Sequence, residues 1–218
     1  MRKFSLPATA LLAILATGSA FAAGNPAQSL VEAAKQGEGT AVRALLLKNG
    51  TDVNATEADG TTALHWAAHN GDLTTLNALI RAKANVNVKN RYDIAPIWLA
   101  PTNGHADVVE ALLRAGAAAQ TTRGDSGETV LMVAAKAGDV PVLQRLLAYG
   151  ANPNVVDAVR KQTPLMWAAA EKNLAAARVL AEAGAKLETR SSTGLTPLAF
   201  AIRSGSIETT LGLLDLGA

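Results

Sequence analysis

Apolar residues along this chain fall at helical rather than strand spacing. In "VPVLQRLLAYG", from Val140 to Gly150, the residues Val142, Leu143, Leu146 and Leu147 recur at the intervals that line one helix face. "DVVEALLRAG" from Asp107 has the same rhythm. No run alternates apolar and polar residues with the Val, Ile and Tyr content of a strand, so a β-sandwich or barrel is not expected. The helices come in pairs. Thr62, Thr129, Thr163 and Thr196 suit the N-cap of a short first helix. Pro164 and Pro197 follow two of them, where a missing N–H costs no hydrogen bond. Gly71, Gly104, Gly138 and Gly205 are placed to end these first helices in a left-handed conformation, and Gly116, Gly150 and Gly184 to end the second ones.

The pairs repeat. "TALHWAAHNGD" from Thr62 is followed by "APIWLAPTNGH" from Ala95, "TVLMVAAKAGD" from Thr129, "TPLMWAAAEKN" from Thr163 and "TPLAFAIRSGS" from Thr196, at spacings of 33 or 34 residues. Gly50, Lys83, Gly116, Gly150, Gly184 and Gly217 keep the same period. "SLVEAAKQGE" from Ser29 sets Ala33, Ala34 and Gly37 in register with Ala67, Ala68 and Gly71. Paired alanines let neighbouring first helices approach closely. Asn54, Asn87 and Asn154 fall in turns, where an Asx side chain bonds nearby backbone. One helix pair cannot bury its own faces, so stacking is required to make a continuous core.

This pattern resembles the ankyrin repeat over residues 26–218. The resemblance implies an all-α solenoid of helix-turn-helix units with projecting β-turns. The expected units are roughly 26–56, 57–89, 90–122, 124–157, 158–190 and 191–218 within an array over 29–218. Departures are local: Ala95-Pro96-Ile97-Trp98 and Pro101 in the third unit, Lys172 where glycine is usual, and Lys83 in place of a helix-ending glycine.

The N-terminus differs from the rest. "MRKFSLPATALLAILATGSAFA" has a basic start, an apolar stretch too short to span a bilayer and a small-x-small end. It has the layout of a secretory signal peptide over 1–22, cleaved after Ala22 and followed by a short linker over 23–28. The expected location is the periplasm or the exterior of a bacterial cell. Removing Arg2 and Lys3 leaves 18 basic residues against 18 acidic ones. That balance gives no support to a nucleic-acid-binding face. The chain has no cysteine, which excludes disulfides, thiolate metal sites and cysteine nucleophiles.

Candidate chemistry is thin. His65 and His69 stand four apart, as a helical zinc pair would. Trp66 occupies the place where a zinc protease carries Glu, and no third ligand stands in register, so no metal site is expected. The family resemblance implies instead that His65 bonds backbone near the turn and that His69 faces the binding groove. His105 likewise matches a framework position. Trp66, Leu99, Val133, Trp167 and Phe200 are equivalent positions, which points to packing between units rather than to a ligand stripe. No nucleophile elbow, phosphate loop or catalytic triad pattern is present, and no cofactor is expected.

The resemblance also implies how such an array works: partners are gripped by the turns and by the exposed side of the first helices. Carried onto this sequence, the candidate protein-binding residues are Arg91, Tyr92, Trp98, His69, Asn70, Thr102, Asn103, Ser126, Glu128, Lys136, Arg160, Gln162 and Glu171. Arg, Tyr and Trp are enriched in interface hot spots, which makes Arg91, Tyr92 and Trp98 the expected centre. The expected function is a non-enzymatic scaffold holding another protein, without nucleic acid and without a membrane span after signal cleavage. The alternative is the recognition part of a larger secreted effector or enzyme continuing past Ala218. Leu211, Leu213, Leu214 and Leu216 motivate it, because they give the last helix an apolar face with no further unit to cover it. A monomer is expected unless that helix docks.

Overall fold

A computed structural model describes residues 29–100 and 104–218. The expected signal segment and linker, as well as Thr102 and Asn103, lie outside the described residues. Among the described residues twelve α-helices follow in six pairs: α1 Leu30–Lys35 with α2 Gly39–Leu46, α3 Ala63–Asn70 with α4 Leu73–Arg81, and α5 Pro96–Leu99 with α6 Ala106–Arg114. Then come α7 Val130–Ala137 with α8 Val140–Ala148, α9 Pro164–Ala170 with α10 Leu174–Glu182, and α11 Pro197–Ser204 with α12 Ile207–Asp215. We number these pairs as units one to six. One two-stranded ribbon, β1 Thr122–Arg123 with β2 Glu128–Thr129, forms the stem of the turn before unit four.

First helices stack on first helices, α1 on α3 on α5 and α7 on α9 on α11. Second helices stack likewise from α2 through α12. The all-α solenoid expected from the repeat is therefore the observed architecture. The core runs between the two rows. Leu64, Leu76, Leu79, Ile97, Leu112, Leu131, Leu143, Leu146, Leu165 and Leu180 are buried in it, each contributing roughly 1.5–3 kcal/mol of transfer free energy. The paired alanines Ala67-Ala68, Ala134-Ala135 and Ala168-Ala169 are equally buried, as the close approach of adjacent first helices requires.

The caps are those expected from the sequence. Oγ1 of Thr62, Thr129 and Thr163 accepts from the N–H three residues on, at 3.2–3.4 Å. Where unit two uses His65 to close its capping box, units four and five use a thioether. Thr129 N donates to Met132 Sδ at 3.4 Å, and Thr163 N to Met166 Sδ at 3.5 Å. Ala95 offers no hydroxyl, and α5 is a single turn of four residues. Lys83 and Lys172, the two lysines at glycine positions, keep the left-handed conformation of the residues they replace, with φ of 69° and 64°. A Cβ there costs roughly 1–2 kcal/mol relative to glycine. Gly71 also has a steric reason, because a side chain there would collide with the His105 ring of the next unit.

The last helix corrects the expectation for its leucines. Leu213 is fully buried and Leu216 half-buried, while Leu211 and Leu214 are exposed. With Ile202 and Ile207 these two make the uncovered apolar end.

Candidate functional site

Units are joined by polar side chains that reach backbone atoms of their neighbours. The His65 ring is buried. Its Nδ1 accepts from Thr62 N at 3.1 Å, which leaves Nε2–H to donate to Ile94 O of the next turn at 2.9 Å. Burial disfavours the imidazolium and holds the His65 pKa below its ordinary value. This is a turn-tying histidine, and its nitrogens are both used. Among the described residues no group of three or more His, Asp or Glu side chains could hold a metal ion. On the opposite edge Asn54 Oδ1 accepts from Asn85 N at 2.8 Å, Asn87 Oδ1 from Ala118 N at 2.9 Å and Asn154 Oδ1 from Lys186 N at 2.8 Å. Gln120, at the same position, accepts from Asn152 N at 2.8 Å. The turn tips are laced too: Arg91 N donates to Asp59 O at 2.7 Å, Ala158 N to Ser126 O at 2.8 Å and Ser192 N to Arg160 O at 2.8 Å.

Several candidate binding residues belong to this framework. Asn70 is exposed, yet its amide donates to Ala34 O at 3.1 Å and Lys35 O at 3.4 Å, ending α1. The Arg91 guanidinium bonds Ala58 O of the preceding turn. Trp98 is only 5% exposed, with its Nε1 unpartnered among the described residues. A buried ring offers nothing to a partner, so its place at the centre of an interface is corrected: a bulky side chain at the usual histidine position has packed inward. Tyr92 is 60% exposed and remains as surface in that unit. Ser126, Glu128 and Gln162 are half-buried in turns, and His69, Lys136, Arg160 and Glu171 are exposed.

The exposed side of the first helices carries two rows. Lys35, His69, Lys136, Ala170 and Arg203 are equivalent positions in units one, two, four, five and six. One helical turn earlier stand Glu32, Trp66, Leu99, Val133, Trp167 and Phe200. In the second row Trp66, Val133, Trp167 and Phe200 pack against the core, as expected, but only Phe200 is buried; Trp66, Leu99, Val133 and Trp167 are half-buried. Cations lie over its rings: Lys35 Nζ is 5.0 Å from the Trp66 centroid, Lys136 Nζ 5.7 Å from that of Trp167 and the Arg203 guanidinium 4.7 Å from that of Phe200. Such contacts contribute about 0.5–1 kcal/mol at exposed sites. The Trp66 site is further closed by Glu57. Its Oε2 accepts from Trp66 Nε1 at 3.0 Å and its Oε1 from Lys35 Nζ at 2.8 Å, which raises the Lys35 pKa. His69 meets the Trp66 ring edge-on at 5.9 Å. Glu57 and Lys35 are absent from the candidate residues. The signal that finds Lys35 is the recurrence of a Lys and Trp pair, Lys35 with Trp66 and Lys136 with Trp167, at one offset.

A family model described as "Ankyrin repeats (3 copies)" matches residues 30–123 and again 131–218. The chain belongs to the ankyrin-repeat family. Ankyrin repeats are generally protein–protein interaction modules. Among curated relatives, the chain is 33% identical over 145 residues to "Neurogenic locus notch homolog protein 1" of Mus musculus, covering 66% of this chain and 6% of that protein. It is 31% identical over 182 residues to "E3 ubiquitin-protein ligase KEG" of Arabidopsis thaliana, covering 82% of this chain and 11% of that protein. It is 32% identical over 194 residues to "Palmitoyltransferase ZDHHC13" of Mus musculus, covering 73% and 31% respectively. The chain therefore spans under a third of the length of these relatives. No helix among the described residues is long and apolar enough to cross a membrane.

Proposed function

We propose that this ankyrin array is an exported, non-enzymatic scaffold that holds another protein on the exposed side of its first helices and turns. What supports this is a division of labour within each unit. The buried positions repeat, whereas Lys35, His69, Lys136 and Arg203, one exposed position, change from unit to unit. A surface that selects a partner varies in that way. Tyr92, His69, Lys136, Arg160, Gln162 and Glu171 are the binding residues of this reading, with Ser126 and Glu128 at its edge. Export is supported by the signal-like composition of residues 1–22. The test is affinity capture with the purified chain, comparing a Lys136→Ala/Arg203→Ala variant with Arg178→Ala on a second helix. Loss of the partner only in the first variant is expected; equal recovery by both removes the assigned face. Mass spectrometry of the exported product is expected to show a chain beginning at Ala23.

A second reading takes the array as the recognition part of a larger effector or enzyme. It is favoured by the small share of its relatives that the chain spans, and by the exposed Ile202, Ile207, Leu211 and Leu214. The reading frame beyond Ala218 decides it: a stop codon there rules it out.

A further inference from the structure

We infer that the tip of the turn before unit five, Val159-Arg160-Lys161, binds an acidic segment of the protein partner, with carboxylates on its two cations and an apolar side chain on its valine. This inference rests on the reading above, that the first helices and turns hold a protein, and it names the chemistry of that protein at one turn. All three tip residues are exposed, Val159 to 71%, and Val156 at the foot of the turn is exposed to 37%. Among the described residues no ion pair reaches Arg160 or Lys161. Cations of other turns are in use. Lys89 pairs with Asp93 at 3.0 Å, the Arg91 guanidinium bonds Ala58 O, and Arg190 Nη1 donates to Gly194 O at 3.0 Å. Arg123 shares its turn with Asp125 and Glu128.

The turn is built to present this tip. The bond that closes it runs from Asp157 N to Gln162 O, one residue further than the Glu57–Thr61, Asn90–Ile94 and Ser191–Leu195 closures. The longer loop is held from beneath. The Asp157 carboxylate, buried at 3% exposure, accepts from Val159 N, Arg160 N and Gln162 N at 2.5–3.0 Å. Lys161 has a φ of 54°, in the left-handed region, where the turns before units two, four and six place Gly60, Gly127 and Gly194. The turn before unit three also departs from glycine, with Asp93 at a φ of 58°. There the side chain has an internal use, accepting from Gly124 N at 2.6 Å and pairing with Lys89. Lys161 has no such ion pair. A lysine kept where glycine relieves strain, with its ammonium uncommitted inside the molecule, points to a ligand outside it.

The occupant is a short acidic stretch of polypeptide rather than a nucleic acid. Ser192 and Thr193, at the tip of the turn before unit six, are exposed and uncharged. An extended chain lying from turn five to turn six thus meets cations and hydroxyls and no acid at the tips. On the other side Asp125 is exposed at the tip of the turn before unit four and repels a continuous polyanion. Residues 156–162 and 190–195 contain no aromatic ring for a base to stack on. Val156 and Val159 instead offer apolar surface to a side chain between two acids.

The test follows the backbone N–H signals of Val159 and Lys161 in the purified chain by ¹H–¹⁵N NMR. The probes are a short capped peptide of glutamate, valine and glutamate between glycines, its glutamine counterpart and a single-stranded oligothymidylate. The glutamate peptide is expected to shift both signals, and to do so less in about 1 M salt, where the screening length falls to ~3 Å. Arg160→Gln is expected to weaken binding about threefold, the loss of one exposed ion pair. Lys161→Gly keeps the left-handed backbone. It is expected to weaken binding by about the same factor and yet to raise the urea midpoint, because strain is relieved. A residue that only shaped the turn would not lose affinity while gaining stability. Signals unmoved by the glutamate peptide, moved equally by the glutamine peptide, or moved by the oligonucleotide alone overturn the inference. So does unchanged affinity in Arg160→Gln and Lys161→Gly, or a midpoint lowered by Lys161→Gly. A protein partner lost by Lys136→Ala/Arg203→Ala but captured in full by Arg160→Gln/Lys161→Gly overturns it too, yet leaves the proposed function standing.

Discussion

Around Trp66 the protein is complete: Glu57 serves the indole, Lys35 covers the ring, His65 closes the turn and Gly71 ends the helix. A hundred and one positions on, the same places hold Trp167, Lys136, Met166 and Lys172, with no acid at the indole. The backbone follows one plan at both. Satisfaction of polar groups is thus a property of the side chains placed on the plan and not of the plan itself.

Four experiments break or sharpen this contrast. The largest effect is expected from Leu165→Ala, which opens a cavity in the core of unit five, the unit that carries Trp167. A loss of about 2–5 kcal/mol is expected, read from the urea midpoint. Because each unit contacts only its neighbours, the Trp66 region should hold longer than the Trp167 region, a lag visible in the two indole signals. Simultaneous loss of both signals would show a single cooperative block. Next come the paired substitutions Trp66→Phe and Trp167→Phe. The first removes a made bond and is expected to cost about 1 kcal/mol; the second removes an orphaned N–H and is expected to be neutral or stabilising. Equal losses from both would mean the two indoles are equally served. Third, Lys172→Gly gives unit five the helix end of unit two and is expected to add roughly 0.5–1 kcal/mol, the relief of a left-handed lysine less the extra conformational entropy that glycine loses on folding. Gly71→Ala is expected to destabilise, since it meets the His105 ring.

The smallest effect is a pH dependence confined to unit two. The His65 pKa is lowered because burial disfavours its charged form. As pH falls below about 6.5 the unfolded chain binds a proton that the folded chain resists. Stability is therefore full above that pH and declines as pH drops through it. His65→Met copies the thioether of Met166, which does not titrate, and is expected to flatten the decline measured between pH 5 and pH 8. An unchanged slope would place the pH dependence elsewhere.

Much of this was legible in the sequence, because caps, glycines and alanine pairs act through the chain's own geometry and recur with it. Thr62, Thr129 and Thr163 cap helices as their type requires. What was not legible depends on which way a side chain turns. Four leucines within six positions cannot share one helix face, and Leu213 falls inside while Leu211 falls outside. Trp98 has the chemistry of a hot spot and the location of a core residue. Arg91 reads as a free cation until its guanidinium is found on Ala58 O. Glu57 has no signature in its neighbourhood, since its partners come from positions 22 and 9 residues away.

Five of the bonds between units share one further property: His65, Asn70, Asn87, Arg91 and Asn154 each reach a main-chain atom of the adjoining unit. Every residue offers that atom whatever its side chain. A unit can therefore be copied, exchanged with its neighbour or redecorated during evolution without rewriting the joints on either side. The position of Lys136, whose joint to the next unit is its own carbonyl oxygen, is free to drift for the same reason that the array holds together.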